Sequence, residues 1–215
     1  MKNDIGREIE EVNLLGPGDL SAGLDEVGIG AWAGPALVVV AVFHNKNPMV
    51  EGLRDSKKMT PIQRRLAIPR IFESAVFTGF GWVTAQTIDE KGLAEAWQEA
   101  AGEAVRGMPP GCLLIVDGDR PVRQLPQGWF GRQHVRPRAD STFWQVSAAS
   151  ILAKEARDQV MTDMAAYYPH WYWENNAGYG TADHQNALVK YGMTPQHRRT
   201  FLRKAQKKLG VTFRV

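Results

Sequence analysis

Three apolar runs of strand length dominate what this chain of 215 residues can fold into: Leu20–Val27, Ala36–Phe43 and Cys112–Val116. Rich in Val, Leu and Ile and bounded by Gly- and Pro-containing segments, they read as buried β-strands. Two of them carry acids at their ends. Asp25-Glu26 follows Gly23-Leu24, and Asp117 follows Leu113-Leu114-Ile115-Val116. A carboxylate at the tip of a buried strand is costly unless a positive group neutralises it. A fourth acid, Asp140, stands just before an Ala-rich helical stretch.

A cluster of hard oxygen donors suits a divalent ion such as magnesium or manganese. Adjacent strand residues point to opposite faces, so a regular strand cannot aim both Asp25 and Glu26 at one site. Either the strand is distorted near Gly28, or one of the pair contributes through its backbone. Asp117 can meet Asp25 if their strands are neighbours, and a helix packed on the sheet would bring in Asp140. Taken singly, Asp117 and Asp140 read more readily as turn acids or helix caps than as metal ligands.

The remaining pattern predicts a mixed sheet flanked by helices, an α/β architecture. Thr60-Pro61 opens a helix, with Thr as cap and Pro at its first position, that should end before Pro69. Ala75–Thr87 reads as a third strand, Ile88–Val105 as an amphipathic helix and Val122–Arg138 as irregular chain. Phe143–Ala166 is a long helix carrying Ser147, Ser150 and Lys154. An aromatic loop, Tyr168–Gly180, precedes a helix at Ala182–Tyr191 and a basic helix starting at Thr194-Pro195. Residues 1–18 form a polar lead-in to a single domain spanning 19–215, whose helical C-terminal part covers about 168–210.

Net charge is +3, but its layout is polarised. Eight Lys/Arg and no acid lie between His184 and Val215, which leaves residues 1–183 with 18 positive against 23 negative charges. A basic segment on an acidic body fits a polyanionic partner such as nucleic acid, or a solvated basic helix. Cys112 is the only cysteine, which excludes an intrachain disulfide and a Cys-based zinc site and points to a reducing cytoplasm. No apolar run approaches the ~18 residues needed to span a bilayer.

The residues around the acids carry a resemblance. Gly23-Leu24-Asp25-Glu26-Val27-Gly28-Ile29-Gly30 with Ala33-Gly34-Pro35, then Asp55-Ser56-Lys57-Lys58, then Val116-Asp117-Gly118, form an ordered series. It continues through Asp140, Ser147-Ala148-Ala149-Ser150-Ile151-Leu152-Ala153-Lys154, Gly178-Tyr179-Gly180-Thr181, His184 and Tyr191-Gly192. Thr194-Pro195 and His197-Arg198-Arg199 close it. In order and approximate spacing, this set resembles the type 2 ribonucleases H, ribonuclease HII in bacteria.

The resemblance implies a ribonuclease H-like fold: a five-stranded mixed sheet flanked by helices, with a helical C-terminal part. It implies hydrolysis of the RNA strand in RNA–DNA hybrids, and incision at ribonucleotides embedded in duplex DNA, leaving 3′-hydroxyl and 5′-phosphate ends. Asp25, Glu26, Asp117 and Asp140 would hold two Mn²⁺ or Mg²⁺ ions. Gly28, Ile29, Gly30, Lys57, Lys58, Tyr179 and Arg198 would meet the substrate, with Ser150 and Lys154 behind Asp140 and His184 bordering the site. The implied protein is a cytoplasmic monomer without membrane attachment. One departure stands out: the family carries Gly-Arg-Gly where this chain has Gly28-Ile29-Gly30. Glycines still let the backbone approach a groove, but a bidentate phosphate-binding guanidinium is lost. A catalytically weak hybrid-binding protein, or an enzyme with reduced selectivity for single ribonucleotides, is the alternative. A DNA-directed nuclease of the same superfold is disfavoured by the Asp-Glu pair and the tyrosine motif.

Overall fold

The computed structural model describes residues 19–45, 53 and 59–214. The lead-in 1–18 and the Asp55-Ser56-Lys57-Lys58 block, with both lysines expected at the substrate, lie outside the described residues.

Five strands form one sheet: β1 (Leu20–Val27), β2 (Ala36–His44), β3 (Phe77–Val83), β4 (Leu113–Asp117) and β5 (Gln133–Arg136), in the order β3-β2-β1-β4-β5. The β1–β2 and β2–β3 pairs are antiparallel, and β1–β4 and β4–β5 are parallel. The expected five-stranded mixed sheet is therefore present. Its strands β1, β2 and β4 are those read from the apolar runs, within a residue at each end.

Helices cover both faces, as the continuous apolar runs require. On one face α3 (Leu93–Val105) packs Ala96, Trp97, Ala100 and Ala104 against Ala22, Leu24, Val38, Val40, Leu114 and Val116. On the other, α1 (Pro61–Ser74) and α4 (Trp144–Tyr167) cover Leu37, Val39, Ala41 and Phe43. Between α1 and α3 lies α2 (Ala85–Lys91). The C-terminal part comprises the short α5 (Trp173–Asn176), α6 (Ala182–Tyr191) and α7 (Arg199–Leu209), built around Trp171, Trp173, Leu188, Leu202 and Phe213.

Four local expectations are corrected. The first helix does not stop at Ile68 but continues through Pro69 to Ser74, because Ala67 and Ile71 bury one face of it against the sheet. The third strand ends at Val83: Thr84 accepts the Thr87 N–H at 3.1 Å and caps α2, where strand had been read to residue 87. The stretch read as irregular contains β5, whose four residues are all half-buried and pair only with β4. The basic helix starts at Arg199 rather than Thr194, capped across the fold by Asp89, whose Oδ2 accepts the Arg199 N–H at 2.7 Å.

The approach of α4 to β1 decides where the acids meet. A Cβ at Gly23 would lie 2.1 Å from the Gln145 carbonyl carbon and 2.2 Å from the Val146 nitrogen. Only glycine allows the start of α4 to sit on β1, where Gln145 Nε2 also donates to Ser21 Oγ at 2.8 Å. That contact places the turn before α4 against the acidic strand ends.

Candidate active site

Parallel pairing of β1 with β4 matches Leu24 with Val116, so Asp25 and Asp117 occupy the next position on neighbouring strands. Asp140 lies in a 3₁₀ turn, Ala139–Ser141, just before α4. Asp117 Oδ1 accepts the Ala139 N–H at 2.9 Å and ties that turn to the end of β4. As a result Asp25, Asp117 and Asp140 each present an oxygen within 4.8 Å of the others.

Glu26 stands apart from this triad. Its Oε2 accepts a 3.0 Å hydrogen bond from Trp97 Nε1 on the α3 side of the sheet. Both acids of the pair nevertheless line one groove of about 520 Å³, together with Asp117, Arg64, Ser150, Lys154 and Tyr179. A smaller recess beside it is bordered by Glu26, Ile29, Trp97, Asp117 and Arg120.

Crowding of acids shows in their proton affinity. Burial, opposed by a Ser150 hydrogen bond and reinforced by the Asp117 charge, pushes the Asp25 carboxyl up to about 7. Glu26 is also raised, chiefly by burial, against the Trp97 hydrogen bond. A divalent cation would relieve both penalties. The triad is all carboxylate, with neither imidazole nor thiol, so the donor set fits an oxygen-preferring ion and not a soft one.

The flanking residues sort differently from expectation. Tyr179 reaches the groove and is 38% exposed. Arg198, expected at the substrate, is fully buried: Nη1 donates to the Ile29 carbonyl at 2.9 Å, and Nε and Nη2 donate to Gly34 O at 3.2 and 2.9 Å. Its donors are spent on the turn carrying Gly28, Ile29 and Gly30, so it shapes that turn from within. Ser150, expected behind Asp140, lies six residues, nearly two helical turns, into α4 and hydrogen-bonds Asp25. Lys154 lines the groove and pairs with Asp158 at 2.8 Å. His184 is buried rather than at the rim and touches the backbone carbonyl of Tyr179.

Three residues escaped the sequence reading. Arg157, fully buried, donates to Pro35 O and Ala177 O at 2.8 Å each and lies 5.7 Å from the Tyr179 ring centroid. Arg64 lines the groove while its Nε pairs with Glu155 at 2.7 Å. Trp97, within the stretch expected as an amphipathic helix, donates to Glu26 at 3.0 Å. Nothing in the local spacing of any of the three marks it, because each partner is distant in sequence.

A mixed five-stranded sheet with acids at the adjacent ends of its parallel strands, and a further carboxylate in the 3₁₀ turn before a packed helix, defines a metal-dependent nuclease of ribonuclease H-like fold. Comparison with known proteins narrows the class. The family model described as Ribonuclease HII matches residues 22–205. The chain is 40% identical over 189 residues to ribonuclease HII of Synechococcus sp. (strain CC9311), covering 85% of this chain and 93% of that one. It is 36% identical over 193 residues to ribonuclease HII of Prochlorococcus marinus (strain NATL2A), covering 87% and 96%. The crystal structure of ribonuclease H2 from Pyrococcus horikoshii OT3 superposes with a TM-score of 0.75 at 27% identity, over 90% of this chain and 100% of that one. The chain belongs to the ribonuclease HII family, metal-dependent endoribonucleases acting on RNA–DNA hybrids. Among the described residues no helix is long and apolar enough to cross a membrane.

Proposed function

We propose that this protein cuts the RNA strand of RNA–DNA hybrids and incises duplex DNA at embedded ribonucleotides, using two divalent ions, Mg²⁺ or Mn²⁺, held by Asp25, Glu26, Asp117 and Asp140. The observation that carries the proposal is the convergence of three carboxylate oxygens within 4.8 Å, on a groove that Tyr179 also lines. Bound there, the ions would supply Lewis-acid activation for hydrolysis of a phosphodiester to 3′-hydroxyl and 5′-phosphate ends.

The chain's own residues do the positioning. Asp117 holds the Asp140 turn through the Ala139 N–H, so both carboxylates are set before substrate arrives. Ser150 orients Asp25, and Trp97 orients Glu26. Arg64 and Lys154 on the groove wall offset phosphate charge. Tyr179 offers a ring face to the sugar, and backbone groups of Gly28–Gly30 approach the 2′-hydroxyl. Lys57 and Lys58, which follow β2 in the sequence, would add phosphate contacts. The working unit is a cytoplasmic monomer.

Cleavage maps of an end-labelled hybrid and of a DNA duplex holding one ribonucleotide, with Mn²⁺ or Mg²⁺, test the reading. Both substrates should be cut by the wild type and neither by Asp117→Asn, with unchanged circular dichroism. Hybrid binding without cleavage in either metal would leave only a binding protein. Efficient cutting of all-DNA duplex would overturn the substrate assignment.

A further inference from the structure

A line of hydrogen bonds crosses the C-terminal helical part and ends on the main chain of Tyr179, and chemistry determines its direction at both ends. At one end, His184 Nδ1 lies 2.9 Å from the Tyr179 carbonyl. A carbonyl only accepts, so His184 Nδ1 carries the proton. In the neutral ring Nε2 is then an acceptor, whose single lone pair is shared between the Trp173 Nε1–H at 3.3 Å and, closer, His197 Nε2 at 3.0 Å. At the other end, His197 Nδ1 accepts the backbone N–H of Thr194 at 2.8 Å, so the His197 proton sits on Nε2. The two Nε2 atoms are 3.0 Å apart, and these independent assignments make one a donor and the other an acceptor.

The arrangement disfavours charge on either ring. A proton added to His184 would set two N–H groups against each other at 3.0 Å, and one added to His197 Nδ1 would face the Thr194 N–H at 2.8 Å, with only the Thr194 hydroxyl, at 2.9 Å, to accept it. Both rings are buried, His184 at 0% and His197 at 2% exposure. Burial lowers the proton affinity of each, His197 to about 3 with the His184 ring adding to the effect. Thr194, His197, His184 and Tyr179 thus form a directed neutral relay. Arg157 holds the Tyr179 ring from beneath, 5.7 Å from its centroid.

We infer that His197 and His184 are positioning residues that fix the main chain of Tyr179 and thereby aim its ring into the groove. This rests on the reading of Tyr179 as a substrate contact. Neither histidine meets the acids or the groove, so they act on binding geometry and not on the chemical step.

Nitrogen-15 NMR of the wild-type protein should show His184 as the Nδ1–H tautomer and His197 as the Nε2–H tautomer, neither titrating near the ordinary histidine range. Opposite tautomers, or titration of either ring near neutrality, overturn the inference. On the hybrid substrate, His184→Leu should raise KM about tenfold, the scale of one lost hydrogen bond, with kcat little changed. His184→Asn keeps a donor near the Nδ1 position and should recover most of that loss. Tyr179→Ala should raise KM by itself, and adding His184→Leu to it should cost nothing more. A silent Tyr179→Ala would remove the substrate reading and the inference with it. An effective Tyr179→Ala beside a silent or fully additive His184→Leu would overturn the relay alone.

Discussion

Asp25 and Glu26 are adjacent in the chain but turn their carboxylates to opposite faces of β1. Asp25 hydrogen-bonds Ser150 of α4, and Glu26 accepts from Trp97 of α3 at 3.0 Å. Strand alternation therefore persists to the last residues of β1, and the two acids meet at one groove only because the strand ends there. Asp25 belongs to the carboxylate triad, and Glu26 borders it from the far side.

This division predicts unequal mutational effects. Asp25→Asn should lower kcat on the hybrid by at least about 10²-fold, the scale of removing one group that organises charge in a transition state. Trp97→Phe keeps the ring in the core but removes the donor that favours ionised Glu26. The Mn²⁺ concentration for half-maximal activity should rise several-fold, in line with one hydrogen bond of about 1 kcal/mol. A metal titration of both variants checks this.

Stability should depend on pH in the direction set by Asp25. Its carboxyl in the fold is raised from 3.8 to about 7, so it favours the folded state fully below about pH 3.8, and that contribution is lost as pH rises to about 7. Metal-free protein should therefore lose on the order of 1–2 kcal/mol from this group between about pH 5.5 and about pH 8. Mn²⁺ binds the ionised form, so the rise in Tm on adding it should be larger at the higher pH. Thermal melts at the two pH values, with and without Mn²⁺, measure both effects.

Gly28 has φ +80°, and a Cβ on it would lie 2.0 Å from Arg157 Nε. Gly28→Ala should cost about 1–2 kcal/mol for the left-handed backbone alone, with more for displacing a buried guanidinium bound to three carbonyls. We expect a lower Tm and a raised KM for the hybrid, because both the turn and the support beneath Tyr179 move. Calorimetry together with steady-state kinetics reports the two losses separately.

Ile29 packs its side chain on the α3 core cluster and lines the recess shared with Glu26 and Arg120. Ile29→Arg should restore a phosphate-binding group there and raise cleavage at a single embedded ribonucleotide relative to the hybrid. A gain of about tenfold would match one charge-assisted hydrogen bond. Equal rates and unchanged preference would show that residue 29 does not set selectivity.

What was legible in the sequence rests on local physics. Apolar runs of strand length marked β1, β2 and β4, and Thr60-Pro61 marked a helix start that the structure realises as a capping box with Gln63. Asp25, Glu26 and Asp117 were legible because charge at a strand tip is anomalous, and Asp140 from its place before the Ala-rich helix and from the resemblance. Where local signals failed, a tertiary contact had overridden them. Four half-buried residues become β5 because β4 offers an unpaired edge. Pro69 stays helical because Ile71 beyond it is needed in the core.

The amino-acid sequence by itself determined which residues could carry charge to the ends of buried strands and that Asp25 and Glu26 face opposite ways, since alternation is a property of neighbours along the chain. The parallel pairing of β1 with β4 that sets Asp25 beside Asp117 joins distant segments and belongs to the tertiary structure. Only the tertiary structure decided what the basic residues near the C-terminus and the buried histidines do. Arg198 reaches the carbonyl of Ile29, and Arg157 that of Pro35, across more than a hundred residues of chain. A buried guanidinium must spend its donors on whatever carbonyls the fold exposes to it, and no spacing along the sequence states which those are.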